Sequence, residues 1–328
     1  MSTYQSSAKR WLAAASAVLA LTAASAAQAA YPEHPVTIVV PFNTGTTPDL
    51  VSRLLAAEMA KQTGGNFVVQ NRTGASGIIG TQAVANAAPD GYTIGFANVA
   101  TLAINQSLYA KLSYDADKQL APVALTGSVQ NLLAVRPGLN VKSVADLIAM
   151  AKKQPGKLSF GSSGVGGAHH LSGEMFREQA KIDSGHGPYK GGSLAATDLM
   201  GGHISMMFEM GYSALPAIQG QKIHPIAVTS AKRLAVLPDV PTMAESGLPG
   251  FESYNWQGIV APAGTPAPII AKLNAEFNRI LKEPDVQKAL ADTGSQAGGG
   301  TPEEFGAFIK SETDKWAHVI QAGNIQLQ

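Results

Sequence analysis

The chain has 328 residues, a formal net charge of +1 and 14% charged residues, so it lacks the basic excess that nucleic-acid binding requires. It contains no cysteine, which excludes disulfide bonds, thiolate nucleophiles and cysteine-ligated metal sites. The length is enough for two ordinary domains, and 45% hydrophobic residues with 34 glycines and 19 prolines are typical of a compact α/β protein.

The N-terminal 29 residues have the pattern of a secretory signal peptide. Lys9 and Arg10 precede an apolar, alanine-rich run, and residues 27–29 (Ala-Gln-Ala) form a small-x-small cleavage site. The alternative is a membrane anchor, but the run is shorter than the ~20 residues that a span needs. We therefore expect a mature protein that begins near Ala30 and acts outside the cytoplasm.

The first predicted unit is a strand, a polar loop and a helix. The apolar run Val36–Val40 predicts a buried strand that ends at Pro41. The loop Asn43-Thr44-Gly45-Thr46-Thr47 follows, and a helix begins with Thr47 as N-cap and Pro48 in its first turn. Such a loop can receive an anion, because the first N–H groups of a helix are free and its dipole favours negative charge. The alternative is an ordinary βα unit with a polar turn.

The next segments repeat this alternation. Strands are predicted over 66–70 and 92–97, with helices over 78–88 and 98–108 and the glycine-rich loop Asn71–Gly77 between them. Two further strands are predicted over 120–125 and 131–135. Alternating strands and helices predict a parallel or mostly parallel sheet.

A second strand–loop–helix unit lies in the middle of the chain. The strand Lys157–Phe160 leads into the loop Gly161–Gly167, and a helix is predicted over Ala168–Ala180. This loop offers two serine hydroxyls and several unhindered N–H groups before a helix, which suits an anion. Its glycine spacing matches neither the dinucleotide nor the P-loop pattern.

The remaining segments complete two βα assemblies and a helical return. Strands are predicted over 204–208, 223–230 and 252–260, and helices over 193–201, 211–220, 269–281, 284–293 and 302–322. If the last helices pack on the first assembly, the chain crosses between domains near Leu125–Gly127 and near Tyr254–Gln257. Two crossings form a hinge, and both loops can face the cleft between the domains.

Several side chains of this cleft have alternative interpretations. His169 is expected to hydrogen-bond to a ligand, and Glu209, at a strand end, to contact it directly or through water. His170 and Glu174 share a helix face, but two ligands are too few for a metal site. A secreted hydrolase that uses Ser162 or Ser163 with His169 is the rival function, although no nucleophile-elbow motif surrounds either serine.

Seven motifs occur along the chain: Tyr31-Pro-x-x-Pro35, Val39-Val-Pro-Phe42, Asn71-Arg-x-Gly-Ala-x-Gly77, Ala88-Pro-Asp-Gly-Tyr92, Gly161-Ser-Ser-Gly164, Leu237-Pro-Asp-Val-Pro-Thr-x-x-Glu-Ser-Gly-Leu-Pro-Gly250 and Ala261-Pro-Ala-Gly-Thr-Pro266. With these motifs the chain resembles the Bug family, the periplasmic substrate-binding proteins of tripartite tricarboxylate transporters. The resemblance covers nearly the whole mature chain in the same order. It implies a type II periplasmic-binding-protein fold, α/β, with two βα domains joined by a two-strand hinge and the ligand in the cleft.

The chain departs from the family pattern at three places. Thr46 replaces the second glycine of the usual Pro-Phe-x-x-Gly-Gly loop, and Asn43 and Thr44 add polar groups there. Glu209 stands where many members have Asp. His169 of the usual Ala-Ser-His segment is kept, without the preceding hydroxyl. We expect ligand specificity to depend on the first loop.

The resemblance and the residues together predict a periplasmic carboxylate receptor without a catalytic step. The predicted domains are a signal peptide over 1–29, a first domain over 30–126 plus 256–328, and a second domain over 127–255. The predicted ligand contacts are Phe42, Asn43, Thr44, Gly45, Thr46, Thr47, Ala75, Ser76, Gly77, Ser162, Ser163, His169, Phe208 and Glu209, with Arg72 as a candidate clamp.

We expect a monomer that takes a dicarboxylate or aromatic carboxylate to membrane transporter subunits, with no cofactor, metal or nucleic acid. A ligand-binding protein for a sensor kinase shares the fold and differs by its partner.

Overall fold

A computed structural model describes residues 31–327, so the predicted signal peptide at 1–29 lies outside the described residues. The described strands are β1 (Val36–Val40), β2 (Phe67–Asn71), β3 (Thr93–Asn98), β4 (Leu120–Val135), β5 (Ser159–Ser162), β6 (Gly185–Pro188), β7 (Met206–Met210), β8 (His224–Val228), β9 (Tyr254–Pro262) and β10 (Ser295–Ala297). The described helices are α1 (Thr47–Thr63), α2 (Ile78–Ala85), α3 (Asn105–Leu108), α4 (Ala116–Gln119), α5 (Val144–Lys153), α6 (Ala168–Ala180), α7 (Gly192–Met200), α8 (Gly211–Gln219), α9 (Ala267–Ile280), α10 (Pro284–Asp292) and α11 (Pro302–Ala322). Within residues 31–327, no helix has the length and apolar character to cross a bilayer.

The strands form one continuous sheet with two parallel wings. The order is β2-β1-β3-β9-β4-β7-β5-β6, and β8 and β10 also pair with β4. In the first wing β1 lies parallel to β2 and β3, and in the second wing β5 lies parallel to β6 and β7. The predicted parallel sheet is therefore correct for each wing. It is wrong for the centre, where β4 and β9 are antiparallel to each other and to their other neighbours.

A single strand of 16 residues, β4, connects the wings where two separate strands were predicted. It pairs with β9 from Leu120 to Gln130, and from Asn131 onward it pairs with β7 and β8. The polar and small residues 126–130, between the two apolar runs, had suggested a break between two strands. In the structure they continue β4 and its pairing with β9. The predicted domain boundaries, after residues 126 and 255, stay a prediction.

Helices cover both faces of the sheet, as strands buried on both sides require. The first wing packs on α1 and α9, and the second wing on α7 and α8. The largest apolar core continues across both wings under α6 and α11 and contains Phe160, Phe176, Phe208, Trp256 and Trp316. The C-terminal helix α11 contacts α3 and α6, so it reaches elements of both halves.

Capping residues set the starts of two helices, and two short strands had no signal in the sequence. Ser143 accepts the N–H of Asp146 at the start of α5, and Thr301 and Glu304 form a capping box at the start of α11. Strands β6 and β10 were missed, because Gly-His-Gly-Pro and Ser-Gln-Ala have no apolar alternation. Only neighbouring strands make these segments extended.

Candidate ligand-binding cleft

The loops predicted to bind ligand follow the carboxyl ends of parallel strands in both wings. In the first wing Val40 is level with Asn71, and in the second wing Ser162 is level with Pro188. Loops that follow parallel strands lie along one edge of a sheet, where ligands of open α/β sheets bind. The wings approach each other there, because a Cβ added at Gly166 would overlap the Leu108 side chain of α3.

An internal carboxylate occupies the N-terminus of α1. The Asp49 carboxylate accepts the Gly45 N–H (2.9 Å), the Asn71 amide (2.9 Å) and the Arg53 guanidinium (2.9 and 3.1 Å), and it is 1% exposed. Burial raises its pKa, but the hydrogen bonds from Arg53, Gly45 and Asn71 outweigh burial and lower the pKa to about 2. Asp49 therefore supplies part of the negative charge that we expected a ligand to bring.

The rest of this loop presents exposed polar groups around that buried anion. Asn43, Thr44 and Thr46 are exposed; Thr44 Oγ1 donates to Asn71 Oδ1 (3.3 Å), and Thr46 Oγ1 donates to the Asn43 carbonyl (2.6 Å). The N-cap is Thr46 and not the predicted Thr47, because Thr47 already has helical geometry. Phe42 packs edge-on against Phe96, with ring centroids 6.3 Å apart, and forms the apolar wall of the loop.

The second loop of the first wing contains consecutive residues in the left-handed region. Ala75, Ser76 and Gly77 have φ values of 46°, 53° and 86°. Residues other than glycine pay a cost there, and such conformations concentrate at functional sites. Asn105 and Tyr109 hold this turn, donating to the Ser76 carbonyl (3.4 Å) and to Ser76 Oγ (3.2 Å).

Arg72, the candidate clamp, lies beside this turn and is exposed. Its Nε donates to Gln70 Oε1 (3.1 Å), which directs the guanidinium back along β2.

In the second wing, Ser162 belongs to the loop and does not pair with His169. Ser162 is fully buried; its Oγ lies 2.7 Å from His186 Nε2 and accepts the Gly164 N–H (3.2 Å). The predicted ligand contact of Ser162 is therefore corrected to a structural role, and the Ser162–His169 pair of the hydrolase alternative is not formed. Ser163, the next residue, is exposed at the loop surface.

Two stacked histidines, His170 and His186, form hydrogen bonds with the same loop. His170 Nδ1 accepts the Gly166 N–H (3.0 Å), and its ring stacks on His186 with centroids 3.7 Å apart. The pKa of His186 is lowered to about 4, and burial is the largest cause. The neighbouring His170 also lowers this pKa, and Glu174 raises it by less. Glu174 lies 3.5 Å from His170 Nε2, so these two residues share a helix face as predicted. In the described part of the chain, no group of three or more potential ligands is placed to hold a metal ion.

His169 is a predicted ligand contact whose ring has a buried nitrogen without a partner in the described chain. It is 7% exposed, and its Nδ1 has no hydrogen-bond partner among residues 31–327. Burial lowers its pKa and the negative charge of Glu209 opposes this, so the ring is neutral. A neutral imidazole nitrogen can donate or accept, depending on its tautomer.

The N-terminus of α7 faces His169 and was missed as a site element. A Cβ added at Gly192 would lie 3.7 Å from His169 Cε1, and Gly191 has a φ of 136° that only glycine adopts easily. The helix begins at Gly192, so the N–H groups of its first turn have no partner within the helix. The signal was the run Gly191-Gly192-Ser193, which directly precedes and opens the helix predicted over 193–201.

Glu209 and Phe208 have different surroundings because they point to opposite sides of β7. Glu209 is 8% exposed, and its Oε1 accepts the Met210 N–H (2.8 Å) and the Ser213 hydroxyl (2.9 Å) at the start of α8. Phe208 is fully buried between Phe176 and Phe251, at centroid distances of 6.0 and 5.9 Å. The predicted ligand contact of Phe208 is therefore corrected: it is a core residue.

Known proteins resemble this chain over most of its length. The family model described as the tripartite tricarboxylate transporter family receptor matches residues 51–325. The solved structure of Rpa4515 from R. palustris with adipate is 35% identical, has a TM-score of 0.75, and covers 90% of this chain and 99% of its own. MatC from Rhodopseudomonas palustris with bound malate is 34% identical with a TM-score of 0.71, over 88% of this chain and 100% of its own.

A third solved structure, the periplasmic binding protein BugD, is 35% identical with a TM-score of 0.72, over 91% of this chain and 100% of its own. Together these structures confirm the predicted fold class, a type II periplasmic-binding-protein fold of two βα domains joined by a two-strand hinge.

Proposed function

Because this chain belongs to the tripartite tricarboxylate transporter family of receptors, we propose that it binds a small carboxylate in the periplasm and delivers it to the membrane subunits of such a transporter. The predicted resemblance to the Bug family is confirmed by the family match and by the similarity to BugD. The solved relatives with adipate and malate support a carboxylate as ligand.

The observation that carries the carboxylate proposal is the pairing of His169 with the N-terminus of α7. One buried imidazole nitrogen without a described partner lies close to Gly192, the first residue of a helix whose first-turn N–H groups have no partner within the helix. Helix N-termini bind anions through these N–H groups and the helix dipole. A carboxylate would therefore receive charge-assisted hydrogen bonds without a cationic side chain.

We propose that the ligand bridges the two wings. Its other end would meet the exposed groups of Asn43, Thr44 and Thr46 and the left-handed turn Ala75–Gly77. Closure follows from this arrangement, because only the closed form makes both sets of contacts. The proposed moving units are residues 30–126 with 256–328, and residues 127–255, each carrying one side of the cleft.

Further parts of the proposal concern the location of the protein in the cell and its partner. We propose a signal peptide at 1–29, a soluble monomer in the periplasm, and no turnover of the ligand. If a sensor kinase is the partner instead, the carboxylate affinity is the same and a pull-down with the membrane subunits fails.

A thermal-shift screen over aliphatic, amino and aromatic carboxylates tests the proposed ligand class. A ligand at ~100 times its Kd raises the free energy of unfolding by about 2.7 kcal/mol. Adipate and adipamide are a matched pair, since the diamide keeps the length and loses both charges. The proposal is contradicted if no carboxylate raises the melting temperature, or if adipamide raises it as much as adipate does. Small-angle scattering of the bound form should show a smaller radius of gyration.

A further inference from the structure

A large cavity lies at the crossing of β4 and β9, away from the cleft described above. Its volume is about 620 Å³, and its walls contain none of the described residues that we predicted to contact the carboxylate. Volumes of this size are typical of pockets that hold small organic molecules. The proposed function leaves this cavity unexplained.

Four aromatic side chains form part of the cavity wall. Tyr254, Trp256, Phe305 and Phe308 line it, and the rings of Trp256 and Phe308 meet edge-on with centroids 5.2 Å apart. Burial raises the pKa of Tyr254 to about 12, with Glu312 and Glu252 adding to the shift, so its phenol is neutral at physiological pH. Aromatic walls favour a planar apolar ligand through edge and stacking contacts.

The charges around the cavity cancel, which distinguishes it from an anion site. Two basic residues, Lys232 and Arg233, and two acidic residues, Glu252 and Glu304, line it. Arg233 is bound to Glu245 (2.9 Å), and Glu304 accepts the Thr301 N–H (2.8 Å), so both are already engaged. A neutral ligand therefore suits this cavity better than a carboxylate.

One buried polar atom at the cavity needs a donor. Gln130 is 8% exposed and its Nε2 donates to Ser128 Oγ (2.7 Å), but its Oε1 has no hydrogen-bond partner among residues 31–327. Gln130 also lines an adjoining cavity of about 250 Å³, so it stands where the two spaces meet. A buried acceptor without a donor is costly, and a ligand N–H or O–H would remove that cost.

We propose that this cavity is a second binding site, which takes a neutral aromatic compound carrying an N–H or O–H donor for Gln130. The ligand lies against Tyr254 and Trp256 and touches the segment 230–235, which follows β8. The cavity shares no residue with the predicted carboxylate contacts, so its test does not depend on the proposed function.

Indole and 1-methylindole are matched probes, because they share the ring system and differ in the N–H donor. Calorimetric titration of the mature protein should show one indole bound per chain and about fivefold weaker binding of 1-methylindole, the value of one hydrogen bond. Gln130→Met should bind both probes equally. Equal affinities of the two probes for the unmodified protein would overturn the proposal.

A second variant locates the probe and avoids the buried strand. Ala235 is exposed and lines both cavities, so Ala235→Trp fills the space without disturbing the core. We expect this variant to melt like the unmodified protein and to lose indole binding. Unchanged indole affinity in Ala235→Trp would place the probe elsewhere and refute the site.

Discussion

The N-termini of α1 and α7, one in each wing, differ in the groups that they face. At α1 the positive end of the helix faces the protein's own Asp49, which Arg53 and Asn71 neutralise and hold. At α7 the helix N-terminus faces the neutral ring of His169, whose Nδ1 has no partner among the described residues. A polar loop before a helix therefore indicates an anion site without saying whether the anion is internal or a ligand.

The difference assigns separate roles to the two wings. In the first wing the charge is internal and satisfied, and the loop exposes hydroxyl and amide groups. In the second wing we propose that His169 and the first turn of α7 bind an external anion. We expect variants of the first wing to change stability, and variants of the second wing to change affinity with little effect on stability.

The largest effect is expected for Asp49→Ala, which leaves the Arg53 guanidinium and the Gly45 N–H without their shared acceptor. Hydrogen bonds to charged groups are each worth ~1.5–3 kcal/mol, so we expect a loss of about 3 kcal/mol in the free energy of unfolding. Urea unfolding measures it. Asp285→Ala is the matched control, because Asp285 also follows the proline at a helix start but is exposed. Equal losses in both variants would contradict an internal anion.

His169→Leu should reverse this pattern. The variant removes a buried nitrogen that has no partner in the described chain, so stability should stay unchanged or rise. Carboxylate affinity should fall about tenfold, the value of one charge-assisted hydrogen bond. Titration calorimetry with the carboxylate found in the screen measures the loss, and the exposed His203→Leu is the control. Undiminished affinity would remove His169 from the site.

A smaller effect is expected for Gly192→Ala. The added methyl would lie 3.7 Å from His169, an ordinary contact, and would partly cover the first turn of α7. We expect about threefold weaker carboxylate binding and a slight gain in stability, since alanine favours a helix by up to ~1 kcal/mol over glycine. Gly166→Ala is the contrasting variant, because its φ is 76° and its Cβ would overlap Leu108, so stability should fall. A loss of stability in Gly192→Ala would show that the first turn of α7 has no room for the added methyl group.

The smallest effect is expected in the pH dependence, where the two loops should respond in separate ranges. The pKa of His186 is about 4 in the folded chain against 6.5 for a free histidine, so the unfolded chain binds more protons between these values and stability falls as the pH falls through them. The pKa of Asp49 is lowered from 3.8 to about 2, so its contribution is present above pH 3.8 and is lost below it. Urea unfolding of His186→Asn should show a weaker dependence in the upper range alone. An identical profile would contradict the assignment to His186.

Much of the fold follows from local patterns in the chain. Strand β1 and the helices α6 and α11 begin and end where periodicity, proline and capping residues predict, since these signals act within a few residues. The family resemblance added the type II fold, which local patterns alone did not reach.

The local sequence thus determined the βα alternation and the polar loops at strand ends, because each depends on neighbouring residues. It also predicted a ligand contact for His169, which stays a prediction. Tertiary structure decided which of these groups stay available to a ligand. Asn71 meets Asp49, and His186 meets Ser162, across 22 and 24 residues of chain, and such pairings depend on strand order. These pairings occupy hydrogen-bonding groups that we had predicted to contact a ligand. They leave His169 Nδ1 without a partner among the described residues, and we propose that the ligand binds there, beside the start of α7.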